Sequence, residues 1–180
     1  VPFLTFYTPT YKRPKRLARC LRSVAEQTLA AEIEHLVIPD HVGLGIGGAF
    51  QRVPLYRDAI HGDYVHLLCD DDWLADPFVV ERVRDFSLAH DTPPVIQVQA
   101  HKGWALLPEH PGEEPKASQV DSACFVVRRD VWHTYCDRWG NRYEGDYDFA
   151  RALWDAGYRW AFCEVLFARG DRLHGAPERL

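Results

Sequence analysis

The sequence has no methionine, no Cys-x-x-Cys pair and no excess of basic residues. The missing methionine decides nothing functional, but the other absences narrow the field. Its five cysteines (Cys20, Cys69, Cys124, Cys136, Cys163) are odd in number and dispersed, which reads as reduced thiols in a cytoplasmic protein. That pattern excludes a disulfide framework and a cysteine-rich zinc site. No apolar run approaches the roughly 20 residues of a membrane helix. No charged-then-apolar leader opens the chain, so it is expected neither to span a membrane nor to be secreted. Lys and Arg number 21 against 26 Asp and Glu, and the net charge of -5 disfavours tight non-specific nucleic-acid binding. There is no Gly-x-Ser-x-Gly and no cysteine with a recognisable partner, which removes the serine and cysteine hydrolases.

What is present is a chain of 180 residues, 47% hydrophobic and 26% charged, the balance of one globular domain with a real core. Strand and helix patterns alternate over residues 1–100. Phe3 to Tyr7 is a β-prone run, and Thr10 is placed to cap a helix with Pro14 in its first turn. Leu17, Leu21 and Val24 give that helix an apolar face to about Thr28. Lys12, Arg13, Lys15, Arg16, Arg19 and Arg22 make a basic patch, read as its solvated face. Further strands are expected at Leu36–Pro39, at Tyr64–Leu68 and at Val95–Val98, with a helix opened by Pro77 between the last two. Residues 101–120 read as a long polar loop. Ala123–Val127 (strand), Asp146–Ala156 (helix) and Trp160–Val165 (strand) complete the chain. Alternation of this kind predicts an α/β fold: a single Rossmann-like domain over 1–180, its central sheet mostly parallel, with helices on both faces.

Asp70, Asp71 and Asp72 follow the strand at Tyr64 directly. Adjacent carboxylates repel, so packing gives no reason for them, whereas the carboxyl ends of strands in an open α/β sheet are where ligands bind. Carboxylate oxygens are also the ligands that Mg²⁺ and Mn²⁺ prefer. A solvated acidic loop capping the next helix is the plain alternative.

The stretch from Tyr64 to Pro77 resembles the Asp-x-Asp segment of family 2 glycosyltransferases, which have the GT-A fold. The resemblance extends to Thr8-Pro9-Thr10-Tyr11-Lys12-Arg13, similar to the family's Pro-Thr-Tyr-Asn-Arg opening, with Lys12 in place of Asn. It continues through Gln27-Thr28, through Gly62-Asp63-Tyr64 and through Gly145-Asp146-Tyr147-Asp148-Phe149 with Ala156-Gly157-Tyr158-Arg159. It implies an inverting transfer of a sugar from a nucleoside-diphosphate sugar to an acceptor hydroxyl, assisted by Mn²⁺ or Mg²⁺. Residues 1–100 would form the donor half and 101–180 the acceptor half.

The donor-site candidates are Pro9, Thr10, Tyr11, Arg13, Asp40, Arg52, Asp70 and Asp71. The ring of Tyr11 suits stacking on a base, Asp40 suits an imide N–H, and Arg52 suits phosphate. Gly43, Gly45, Gly47 and Gly48 offer backbone N–H groups to a diphosphate. Asp72 and His174 are assigned to the metal, with the division among Asp70, Asp71 and Asp72 left open. Asp146 is the candidate general base, as the matching Asp of the family motif. The family's preceding Glu is Gly145 here, so Asp148 and Glu144 stay as alternatives. Trp104 is the aromatic placed to stack on a sugar. Acceptor recognition is assigned to the 101–120 loop and Asp121–Cys124, to a homo-oligomer interface or to a partner protein. Two other readings stand beside this one. A sugar nucleotidyltransferase would open with a glycine-rich loop that this chain lacks. A non-catalytic nucleotide- or sugar-binding module would keep the fold without turnover.

Overall fold

Long β-prone runs and one amphipathic stretch set the first elements. A computed structural model describes residues 1–103 and 105–171. Strand β1 spans Leu4–Thr10 and helix α1 Pro14–Ala25. Pro14, with its fixed φ and missing N–H, starts the helix. Thr10 does not cap it, because Thr10 still belongs to β1 and its hydroxyl turns to Asp70. The remaining elements are β2 (Ile33–Pro39), α2 (Gly45–Gln51), β3 (Tyr64–Leu67), β4 (Asp72–Leu74), α3 (Val79–Ala89), β5 (Val95–Lys102), β6 (Ala105–Leu107), β7 (Phe125–Arg128), α4 (Arg129–Tyr135), α5 (Gly145–Asp155) and β8 (Ala161–Gly170).

Several elements exceed the sequence expectation, and the cause is tertiary. β5 continues past Val98 to Lys102, and β8 past Val165 to Gly170, because these extensions pair with each other and with β6 and β4. The expected loop after residue 100 thus begins as paired strand. Helix α4 and strand β6 had no clear sequence signal. The segment of four glycines is not an open loop: Gly45–Gln51 is helical, and a Cβ on Gly47 would lie 2.8 Å from Asn141 Oδ1.

The sheet order is β2-β1-β3-β7-β5-β8-β4, with β6 on β5. β1 runs parallel to β2 and β3, and β5 parallel to β8, while β7 lies antiparallel between β3 and β5. Five of the eight strands therefore point the same way, which makes the sheet mostly parallel. Successive residues of β3 are all buried, as are those of β7 from Phe125 to Val127, so both faces of the central sheet are covered. Beneath α5, Trp139 stacks on Phe149 (4.4 Å between centroids) and Trp132 meets Phe149 edge-on. Each such buried ring contributes about 1.5–3 kcal/mol, and together they hold the start of α5 against the domain. Among the described residues no helix is long and apolar enough to cross a membrane.

Candidate active site

Because β1, β2, β3 and β5 share a direction, Thr10, Asp40, Asp70 and Lys102 all emerge at one edge of the sheet. β7 runs the other way, so the residues before it, Asp121 and Ser122, reach the same edge. A cleft of about 240 Å³ opens there. Its walls include Pro9, Thr10, Tyr11 and Arg13 from the turn after β1, Asp40, and Gly45 and Phe50 from α2. Asp70 and Asp71, Lys102, Asp121 and Asp146 complete it. Five aspartates thus face two cations, Arg13 and Lys102, and a diphosphate would add to that negative excess unless a counter-cation came with it.

The three consecutive aspartates have separate surroundings. Asp70 accepts from Thr10 Oγ1 and Arg13 Nη1, both at 2.7 Å. Burial pushes its carboxyl up, and the Thr10 hydroxyl and the guanidinium pull it back only in part. Asp71 lines the cleft, with Arg13 Nη1 at 3.5 Å, and its backbone carbonyl accepts from Arg19 at 3.1 Å. Arg19 also pairs with Asp171 and lies over the ring of Trp73 at 3.8 Å. Arg13 therefore turns to the cleft acids, and Arg16 and Arg19 to Asp171, rather than forming only a solvated face.

Asp72 turns inward. Its Oδ2 receives Lys102 Nζ at 2.5 Å, its side chain is 1% exposed, and it does not line the cleft. Lys102 Nζ also lies 3.0 Å from Asp121 Oδ1. Burial pushes the Asp72 carboxyl up, whereas Asp121 and Asp72 hold the Lys102 ammonium protonated well above its usual range. The pair is read as ionised, because the ammonium serves two carboxylates at once. The other oxygen, Asp72 Oδ1, faces Gly170, where an added Cβ would collide with it. The metal role expected of Asp72 thus meets a lysine already bonded to its Oδ2, away from the cleft.

The cation implied by the resemblance has a donor set to test. Cys69, Asp71 and Asp72 each present a ligand atom within 4.8 Å of one another. Burial pushes the Cys69 thiol well above its usual range, and a neutral thiol suits a hard cation poorly. With Asp72 held by Lys102, Asp71 remains. Mg²⁺-type ions bind through one or two carboxylates and complete their shell with water and substrate phosphates, so the residues fit such an ion through Asp71.

On the base side, Tyr11 lies against Gly43, where φ is +84° and an added Cβ would lie 2.7 Å from the Tyr11 ring, so there is no room for a side chain. Asp40 reaches the cleft, yet its carboxylate accepts three backbone N–H groups, from Val42, Gly43 and Leu44, at 2.7–3.0 Å. Slight desolvation would raise its pKa; those bonds outweigh it and lower it. Arg52 is not brought into the cleft: it donates to the Pro39 carbonyl and to Tyr56. His174 and Trp104 lie outside the described residues.

Asp146 opens α5 and faces the cleft, with Oδ1 accepting from Tyr147 N at 2.8 Å. Burial, followed by the charge of Asp121, pushes its carboxyl up to about 7. The two alternatives turn elsewhere. Asp148 pairs with Arg142, and Glu144 accepts from Ser118 at 3.2 Å; neither lines the cleft. Gly145 has no space for a larger side chain, because its Cβ would strike the Gly140 carbonyl and lie 2.5 Å from the Phe50 ring. Lys102 was missed by sequence reasoning. Its one signal was a lysine shortly after an apolar run, which became a strand end only through pairing.

No protein-family model matches the chain, and no curated protein matches it in sequence. Solved structures do match in shape. The S. aureus TarS fragment 1–349 superposes with a TM-score of 0.65 at 12% identity, over 93% of this chain and 60% of that one. The same fragment in complex with UDP gives 0.67 at 12% identity, with the same coverage. In complex with UDP-GlcNAc it gives 0.66 at 12% identity, over 97% of this chain and 60% of that one. The chain therefore spans about 60% of the length of these fragments. The likeness establishes a GT-A-like α/β fold, and what the cleft does follows from its own chemistry.

Proposed function

We propose that the chain is the donor-binding and catalytic part of a nucleotide-sugar transferase that moves a sugar to an acceptor hydroxyl. The observation that carries this reading is the meeting, at one sheet edge, of an acidic cleft floor (Asp70, Asp71) and a separate carboxylate, Asp146, poised near neutrality. The UDP and UDP-GlcNAc complexes of the TarS fragment support it, through a shared fold.

In this reading the base stacks beside Tyr11, and Arg13 and Asp70 form a fixed pair under the ribose or sugar hydroxyls. Asp71 is the residue that would hold a divalent cation, which when bound offsets the charge growing on the departing diphosphate. Asp146 takes the proton from the acceptor hydroxyl as that oxygen attacks the anomeric carbon from the face opposite the leaving group. A carboxyl of pKa about 7 is half ionised at neutral pH and is a stronger base than an ordinary aspartate. In this reading the acceptor enters past Asp121, Ser122 and Tyr143, in keeping with an acceptor half after residue 100.

The test is thermal-shift binding of UDP, GDP, TDP, CDP and ADP, each with and without Mn²⁺. A ligand at 100 times its Kd adds about 2.7 kcal/mol of stability, so one nucleotide should raise Tm selectively, and more with Mn²⁺. A flat response to all five would leave the non-catalytic module as the better reading.

A further inference from the structure

Lys102 is the interior cation that no motif announced. Its ammonium is shared by Asp72 at 2.5 Å and Asp121 at 3.0 Å, and only 7% of its side chain is exposed. Two of the three potential ligands at the acidic turn are withdrawn for separate reasons. Asp72 is bonded to Lys102 and walled by Gly170, and Asp70 is held by Thr10 and Arg13. Asp71 faces the cleft beside them.

We infer that Lys102 keeps the second carboxylate away from a divalent ion, so that the protein offers one carboxylate and the ion binds only together with a nucleoside diphosphate. The inference rests on the proposed nucleotide site and adds a rule for how that site fills. A dication approaching Asp72 would meet an ammonium already bonded there, and like charges at that range repel strongly in a buried setting. One carboxylate alone is a weak holder of a hydrated ion, but the oxygens of a diphosphate can complete the shell. The same ion relieves the repulsion between the phosphates and the aspartate-rich walls. Each ligand should therefore strengthen the other, and by linkage the two factors must be equal.

The experiment follows free Mn²⁺ by its electron paramagnetic resonance signal during titration with the protein, without and with saturating UDP. Calorimetry of UDP, with and without Mn²⁺, gives the reciprocal factor. Wild type should bind Mn²⁺ at least about tenfold more tightly with UDP, within the 5–150-fold usual for coupled sites. Asp72→Asn, which keeps an acceptor for Lys102, should leave that coupled binding within about threefold, and Asp71→Asn should abolish it. Lys102→Met should gain Mn²⁺ binding in the absence of nucleotide. If that variant does not fold, the two aspartate variants decide. Equal Mn²⁺ affinity with and without UDP, or loss of coupled binding in Asp72→Asn, would overturn the inference while leaving the nucleotide site standing. Absence of binding by any of the five diphosphates, with Mn²⁺ or without, would instead overturn the nucleotide reading on which it rests.

Discussion

Asp70 and Asp72 are two residues apart and both buried, yet only Asp70 lines the cleft and their partners differ. Asp70 sits at the cleft surface between a hydroxyl and a guanidinium, while Asp72 is sealed behind Lys102 and the backbone of β8. The chain separates them at the turn between β3 and β4: Asp70 still belongs to the sheet edge, whereas Asp72 is the first residue of β4 and pairs with Gly170. Sequence proximity therefore says little about shared chemistry here. Asp70 and Asp71 line the cleft together with Asp121 and Asp146, whereas Asp72 lies behind it, holding its charge against Lys102.

The largest effect should appear in the cleft. Asp146→Asn should reduce transfer by about 10²–10⁴-fold, the usual loss on removing a general base, while nucleotide binding measured by calorimetry persists. In the wild type, transfer should fall about tenfold per pH unit below roughly pH 7, since protonation disables the base. Stability should run the other way. Between about pH 4 and pH 7 the native carboxyl holds a proton that the unfolded chain has released, so stability declines as pH rises through that window and levels off above it. Asp146→Asn should flatten that decline in urea melts; an unchanged slope would place the titrating group elsewhere.

Next is the contrast between the two ion pairs. Lys102→Met strands buried carboxylates and should cost about 3–5 kcal/mol, read as a Tm drop of about 6–20 °C. The drop should be larger at pH 8 than at pH 5, because protonation relieves Asp72. Arg13→Met should cost about 1 kcal/mol, since Asp70 keeps Thr10 and borders the cleft; equal drops for the two variants would erase the contrast. Between these, Gly170→Ala should cost about 1–3 kcal/mol by overpacking, because its methyl would meet Asp72 Oδ1 and lie 2.8 Å from Lys102 Cδ. A neutral result in chemical denaturation would show that the inner pocket has slack.

Much of the fold was legible because its signals are local. The apolar runs of β1 and β3, the amphipathic face of α1 and the Gly157 stop after α5 depend only on near neighbours. So did the placing of Asp70, Asp71 and Asp146, since strand ends and helix starts put side chains at predictable edges. Asp40 was placed at the right edge, but the three N–H groups that fill its carboxylate come from a loop whose path its sequence does not specify. Thr10 lines the cleft as expected but does not cap α1, and Arg52 lies outside the cleft, each having a partner that only the folded chain supplies.

By itself the sequence determined an α/β sheet with a carboxylate-rich edge, because hydrophobic period and turn chemistry are short-range properties. Only the tertiary structure decided which aspartate faces outward, that Lys102 from β5 lies between Asp72 and Asp121, and that Asp146 rather than Asp148 or Glu144 enters the cleft. Those outcomes join residues at least 19 positions apart in the chain, and at such separations it is strand order and register that choose the neighbours.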